Sequence, residues 1–350
     1  MEYRLPNGIR LVHEHVDSPV AHCGIYVGAG SRDEEEKEHG LAHFIEHAIF
    51  KGTRKRKAFH VLTRLENIGA DLNAFTTKEE TCIYASFQRG YYERVLELIS
   101  DIMFDSVFPD KELVKEKSVI LDEISSYKDT PSDQIFDDFE ELVFAGHPIG
   151  RNILGKKANL KRFTPSHIRH FIEKNYTPDQ LVITSVGSIP FQKLIRMAGR
   201  YFENVPGGNS SQTRAPFTGY QPVQKQVRKS TYQTHCVMGN LAFDFTDPRR
   251  IPMALLNNIL GGPGMNSRLN LSVREKHGLT YNIESGYTPY ADTGLFTIYL
   301  GVDNGLLDKT MHYVALELEK LRNIRLGTNQ MNIARRQFTG QLAIAWESNL

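Results

Sequence analysis

Residues 40–50 read GLAHFIEHAIF, and in this segment the sequence pattern changes from strand to helix. Its apolar residues recur near the 3.6-residue period of an α-helix, at Leu41, Phe44, Ile45 and Ile49. Within it, His43 and His47 are four positions apart. A helix would place their imidazoles one above the other on the same face, where both could bind one divalent metal ion.

Glu46 directly precedes the second histidine, which makes the segment an H-x-x-E-H motif. This is the inverted form of the H-E-x-x-H arrangement, in which two histidines hold a metal ion and the glutamate takes a proton from the attacking water. Catalytic zinc sites usually have three protein ligands and one open position. The third ligand must therefore come from elsewhere in the chain. Taken by itself, the motif could also be a polar helix face with two solvated imidazoles.

The best candidate for the third ligand is Glu123, in a helix predicted over residues 110–127. Glu116 lies seven positions earlier, two helical turns away, so both carboxylates can face the same direction. We expect Glu123 to bind the metal and Glu116 to accept the free N–H of a ligand imidazole. Two histidines and a carboxylate favour one Zn²⁺ per chain, with manganese or cobalt as possible substitutes.

Strand and helix patterns alternate along the rest of the chain. Apolar, β-branched runs bounded by Gly and Pro predict strands near residues 3–15, 20–28, 72–76, 81–87 and 181–187. Amphipathic patterns predict helices near residues 59–68, 91–106, 132–144 and 190–202. Ser166 is a plausible N-cap for a further helix that extends to Lys174.

The segment 206–222 has no periodicity and is rich in Gly, Pro, Ser and Thr, which predicts a linker. After it the order of elements starts again. We therefore predict an α+β fold with two similar lobes, each a mostly antiparallel sheet with helices packed on it. The predicted parts are an N-terminal zinc-binding lobe (1–205), a linker (206–225) and a C-terminal lobe (226–350). A second lobe equal to the first would need roughly 60 to 80 more residues, so we expect it to be incomplete.

Composition excludes several classes of function. The 350 residues include 42 basic and 41 acidic ones, and this balance favours neither nucleic acid nor an anionic membrane as a partner. No apolar run is long enough to span a bilayer, and the N-terminus lacks a secretion signal, so we expect a cytoplasmic protein. The three cysteines are far apart and form no C-x-x-C pair, which argues against a disulfide framework and a cysteine zinc cluster.

The segment GLAHFIEHAIFKGT (40–53) resembles the zinc helix of the pitrilysin/insulinase metallopeptidases, specifically the subgroup similar to mitochondrial processing peptidase. Glu123 lies 76 positions after His47, which matches the family spacing to its third ligand, and Glu116 matches the second acidic residue. The resemblance continues in ADLNAFTTKEETCIYASF (70–87), HPIGRNILG (147–155), NYTPDQLVITSVG (175–187) and GGPGMNSRLNLSVREKHGLTYNIES (261–285).

This resemblance implies two α+β lobes that face each other across a cavity, with zinc on the first lobe. Arg274 and Tyr281 match the arginine–tyrosine pair of the family, which implies that Arg274 orients the substrate and Tyr281 binds the scissile carbonyl oxygen. Leu72, Asn73, Ala74 and Phe75 match its edge strand, which would bind a peptide as an added β-strand. The family also suggests a homodimer, or a heterodimer with a related subunit.

We therefore predict a zinc-dependent endopeptidase that hydrolyses peptides or flexible unfolded segments, with Glu46 as the general base. The alternative is a non-catalytic, peptide-binding partner subunit of a heteromeric peptidase. Such relatives typically lose motif residues, whereas His43, Glu46, His47 and Glu123 are all present. A purely structural zinc site would need a fourth ligand, often a cysteine, and the sequence offers no suitable one.

Overall fold

The structure is a computed structural model that describes residues 1–205 and 213–347. Two compact units can be distinguished, one formed by Met1–Ser126 and Arg151–Arg214 and the other by Tyr127–Gly150 and Ala215–Ser348. Each unit combines one β-sheet with α-helices, which confirms the predicted α+β fold class.

The first unit contains a six-stranded sheet with the strand order β1-β2-β6-β3-β5-β4. Its strands are β1 (Glu2–Arg4), β2 (Arg10–His15), β3 (Val20–Val27), β4 (Asp71–Thr76), β5 (Thr81–Gln88) and β6 (Leu181–Gly187). Only β2 and β6 pair in parallel; the other neighbours are antiparallel, as predicted. Because β4 is last in this order, one of its edges has no neighbouring strand among the described residues.

Helices are present at all the positions that the apolar periodicity indicates. In chain order they are α1 (Leu41–Ala48), α2 (Ala58–Glu66), α3 (Tyr92–Phe104), α4 (Asp110–Lys128), α5 (Pro131–Val143), α6 (Lys157–Leu160), α7 (Pro165–Asn175), α8 (Phe191–Phe202), α9 (Arg250–Gly261), α10 (Leu307–Asn323) and α11 (Thr328–Glu347). A π-helix covers Asn270–Lys276. Among the helices of the described residues, none is long and apolar enough to cross a membrane.

The core of the first unit lies on one face of the sheet. Side chains alternate along β3, so that Ala21, Cys23 and Ile25 are buried whereas His22 and Tyr26 are only partly buried. Helix α1 packs into this core with five side chains that have no exposed surface: Leu41, Ala42, Phe44, Ile45 and Ala48. This burial holds the helix in place and leaves Glu46 and His47 partly accessible.

The predicted start of α7 was wrong by two positions. The N-cap is Thr164 and the helix begins at Pro165, before Ser166. A proline is favoured at the first helical position because it has no N–H to leave unpaired and its φ already suits a helix.

The second unit has a three-stranded antiparallel sheet in the order β7-β9-β8. Its strands are β7 (Gln233–Ala242), β8 (Thr280–Pro289) and β9 (Gly294–Asp303). Helix α5 belongs to this unit: the rings of Phe136 and Tyr299 are 5.2 Å apart, and the Tyr290 hydroxyl donates to Glu140 Oε1 at 3.0 Å. From the sequence alone α5 is counted with the first lobe. Of the predicted linker, residues 206–212 lie outside the described residues, and residues 213–225 contain no helix or strand.

The beginning of α1 depends on a close contact between two glycines. Gly155 has a φ of +76°, and a Cβ at this position would lie 2.3 Å from the Cα of Gly40, the residue before α1. We predict that Gly155→Ala lowers the free energy of unfolding by about 1–2 kcal/mol for the left-handed backbone and by a further ~1–3 kcal/mol for overpacking.

Gly69→Ala is the matched control, because Gly69 has a φ of +68° and a Cβ there would meet no atom within 4 Å. Urea unfolding of both variants and of the wild type measures the loss in free energy of unfolding that each substitution causes. Equal losses would show that the contact with Gly40 does not constrain the fold.

Candidate metal centre

The structure brings the three predicted metal ligands together in the first unit. Their ligand atoms all lie within 4.8 Å of one another. One oxygen of Glu123, Oε2, is 3.8 Å from Nε2 of His43 and 3.8 Å from Nε2 of His47. The two imidazoles come from successive turns of α1, with ring centroids 4.7 Å apart, and the carboxylate comes from α4.

This spacing fits a zinc ion. Two ligand atoms bound at about 2.1 Å in a tetrahedral arrangement are about 3.4 Å apart. The distance of 3.8 Å between Glu123 Oε2 and each imidazole is longer than a hydrogen bond and close to the ligand separation. The Glu123 side chain is 42% exposed, which leaves one side of the centre accessible to solvent. Nitrogen and oxygen donors with an open side are typical of a catalytic zinc site.

His47 is oriented by a chain of polar contacts. Its Nδ1 lies 3.3 Å from Glu116 Oε2, and the other carboxylate oxygen, Oε1, is 2.8 Å from Lys51 Nζ. A hydrogen bond at Nδ1 favours the tautomer that leaves Nε2 free for a metal ion. The sequence predicted a contact between Glu116 and a ligand imidazole, but not the contact between Lys51 and Glu116. Lys51 lies in the basic segment that follows α1, where a solvated lysine is the default expectation.

His43 is held in a different way. It is only 7% exposed, and its Nδ1 is buried with no hydrogen-bond partner among the residues the structure describes. Burial, together with the neighbouring His47, lowers the pKa of His43 to about 4. The ring is therefore neutral at pH 7, the form that binds a metal ion.

Glu46 lies on the same helix, directly before His47. Burial raises the pKa of its carboxyl group, while the neighbouring Thr76 hydroxyl and His47 act in the opposite direction. Thr76 is the last residue of β4, so the edge strand contributes directly to the surroundings of Glu46. The sequence motif did not indicate Thr76, because the two residues are 30 positions apart and meet only through packing of α1 on β4.

Leu72, Asn73, Ala74 and Phe75 all lie in β4, at the edge of the sheet. They pair with β5 on one side, from Leu72 opposite Ala85 to Phe75 opposite Cys82. The Ala74 N–H donates to Oδ1 of the neighbouring Asn73 at 2.8 Å. The Ala74 N–H of this edge strand is thus bonded to an exposed side chain of the same strand and not to another strand.

Arg274 and Tyr281 belong to the second unit. Arg274 lies in the π-helix, with Nε 3.7 Å from Glu275 Oε1. Tyr281 is 85% exposed. It lies at a β-bulge: Thr280 pairs with Val302 and Asn282 pairs with the adjacent Gly301, which makes Tyr281 the extra residue of β8. Bulges of this kind redirect a side chain and are over-represented beside active sites.

Known sequence families match most of the chain. Residues 10–157 match the insulinase family, peptidase family M16, and residues 162–338 match the M16 inactive domain. The chain is 32% identical to an uncharacterized zinc protease of Bacillus subtilis, over 99% of this chain and 84% of that protein. It is 28% identical to the beta subunit of the mitochondrial processing peptidase of Saccharomyces cerevisiae, over 99% of this chain and 78% of that protein.

Solved structures share the fold. A crystal structure of a peptidase M16 inactive domain from Pseudomonas fluorescens matches with a TM-score of 0.92 and 22% identity, over 97% of this chain and 83% of that one. A protease from Helicobacter pylori matches with a TM-score of 0.92 and 21% identity, over 99% and 86% of the two chains.

The geometry predicts that one zinc ion binds per chain and that Glu123 is a ligand. Glu123→Gln should weaken zinc affinity by more than the 10- to 100-fold typical of an outer-shell partner. Competition with a chromophoric chelator measures the zinc dissociation constant. Asp122→Asn is the control, since it neutralises the adjacent carboxylate on the same helix. Equal effects of the two substitutions would mean that Glu123 acts only through its charge.

Proposed function

Because this chain belongs to the insulinase family of peptidases, family M16, we propose that it is a zinc-dependent endopeptidase whose metal is held by His43, His47 and Glu123. The observation that carries the proposal is the equal approach of Glu123 Oε2 to both imidazoles, at 3.8 Å each. When bound there, zinc would supply Lewis-acid chemistry, by lowering the pKa of water to about 7 and by polarising a carbonyl group.

Glu46 acts as the general base. Its place on α1 directly before a metal ligand lets it take the proton of the attacking water and later return it to the leaving amine. Lys51 and Glu116 keep His47 in the orientation that presents Nε2.

The substrate binds along β4 as an additional strand. An edge strand has unpaired main-chain groups that accept an extended peptide, and main-chain pairing tolerates many sequences. Oδ1 of Asn73 accepts the Ala74 N–H, and the carbonyl oxygen of a bound peptide would take its place as acceptor. Peptides and flexible unfolded segments can adopt the extended conformation that this mode of binding requires.

Tyr281 and Arg274 act on the substrate from the second unit. Tyr281 is exposed at the bulge, so its hydroxyl can donate a hydrogen bond to the scissile carbonyl oxygen. Arg274 orients the peptide.

A non-catalytic role in a heteromeric peptidase is the second candidate, since one relative is named as a subunit. Wild-type protein that binds zinc and peptide without cleaving the peptide would support that role.

Glu46→Gln separates binding from catalysis. We predict that it retains zinc and loses at least 10²–10⁴-fold in kcat/KM, because the amide cannot accept a proton. Zinc content and cleavage of a quenched peptide, with and without chelator, measure both properties. Normal cleavage by this variant would exclude Glu46 as the base.

Tyr281→Phe tests the contribution of the second unit. Loss of one oxyanion donor should lower kcat by about 10²–10³-fold. Tyr232→Phe is the matched control, since Tyr232 is fully exposed in the same unit. If both variants cleave as fast as wild type, Tyr281 has no part in the reaction.

A further inference from the structure

A buried carboxylate lies at the start of the helix that carries the metal ligands. Glu34 Oε2 accepts the Gly40 N–H at 2.9 Å, and Oε1 accepts the Ala42 N–H at 2.8 Å. Glu34 is only 4% exposed, and it comes from the loop before α1, six positions ahead of Gly40.

These two hydrogen bonds serve as the N-terminal cap of α1. The first four N–H groups of a helix have no partner within it and usually bond to a side chain at the N-cap position. The N-cap here is Gly40, which has no side chain and a φ of +99°. With eight residues, α1 is also too short to be stable by itself. Glu34 therefore takes over a function that the N-cap residue cannot perform.

Glu34 is itself held in place by Arg151. The guanidinium donates from Nη1 to the Glu34 main-chain oxygen at 2.7 Å and from Nη2 to Glu36 Oε2 at 3.2 Å. Burial raises the pKa of Glu34 to about 8, while the two N–H groups and Arg151 act in the opposite direction. Each carboxyl oxygen can accept a hydrogen bond in either protonation state, so both capping contacts are possible whether or not Glu34 is ionised.

The capped turn contains a metal ligand. His43 is the third residue of α1, directly after Ala42. His47 is oriented by Glu116, whereas Nδ1 of His43 has no partner within the described part of the chain. The position of the His43 ring therefore depends on its packing and on the backbone of the first helical turn.

We propose that Glu34 is a positioning residue for the metal centre, which acts by fixing the first turn of α1 and thereby the His43 ring. This inference rests on the proposed zinc site. Glu34 is not one of the three proposed ligands and bonds to the backbone before His43, so we expect its effect to appear as a change in zinc affinity.

A graded series of variants tests this role in the full chain. Glu34→Gln keeps one carbonyl acceptor and turns an amide N–H₂ toward the second N–H, whereas Glu34→Ala removes both acceptors. We expect zinc affinity to fall about 10-fold in E34Q and up to ~100-fold in E34A, the range found for outer-shell partners. Chelator competition measures the zinc dissociation constant, and circular dichroism shows that each apoprotein is folded. E34Q, similar in size to the native residue, provides the test if E34A does not fold.

Asn7→Ala is the control for a purely structural role. The Asn7 amide donates to the main-chain oxygens of Phe202 and Val205 at 2.8 and 3.3 Å, and so caps the end of α8, a helix of the same unit without metal ligands. N7A should lower stability and leave zinc affinity unchanged.

Wild-type zinc affinity in E34Q, or an equal loss of zinc affinity in N7A, overturns the inference. Wild-type protein that takes up no zinc overturns the proposed function as well, so the two failures are distinguishable.

Discussion

The convergence of two imidazoles and one carboxylate is the constraint on which the rest of this structure depends. His43 and His47 come from one short helix, and Glu123 comes from a helix more than 60 residues later in the chain. Three donor atoms within 4.8 Å of one another require that both helices be fixed in position and rotation. A shift of about 1 Å in either helix is a large fraction of the zinc–ligand distance of about 2.1 Å.

The surroundings of α1 meet this requirement from several sides. Its apolar side chains are fully buried in the core of the first unit. Glu116 and Lys51 orient His47, Thr76 lies beside Glu46, and Glu34 bonds to the first turn. Glu46 and His47 thus each have a supporting polar side chain outside the group of metal ligands, whereas Nδ1 of His43 has no hydrogen-bond partner among the described residues and its ring relies on burial and on the backbone. Loss of such a supporting contact typically lowers metal affinity by about 10- to 100-fold.

The sequence predicted the parts of this arrangement that depend on local pattern. The helical period placed His43 and His47 on one face of α1, with Glu46 directly before His47, and the seven-residue spacing placed Glu116 and Glu123 on one face of α4. Contacts between segments distant in sequence left no such signal. Lys51 ends the short 3-10 helix that follows α1 and contacts Glu116 of α4, and Thr76 ends a strand. Glu34 is close in sequence to α1, but it does not occupy the N-cap position, so the pattern that predicts a cap does not detect it. For the same reason the sequence alone groups α5 with the first lobe, although Phe136 of α5 packs on Tyr299 of the second sheet. The bulge at Tyr281 depends on strand register, which a single strand sequence does not specify.

The account is tested most directly by locating the metal. Anomalous X-ray scattering at the zinc absorption edge, from crystals of the full chain grown with zinc, would give its position independently of any assumption about ligands. We predict one zinc ion within about 2.0–2.2 Å of His43 Nε2, His47 Nε2 and a Glu123 oxygen. A zinc ion bound at other residues, or a Glu123 side chain turned away from both imidazoles, would contradict the account.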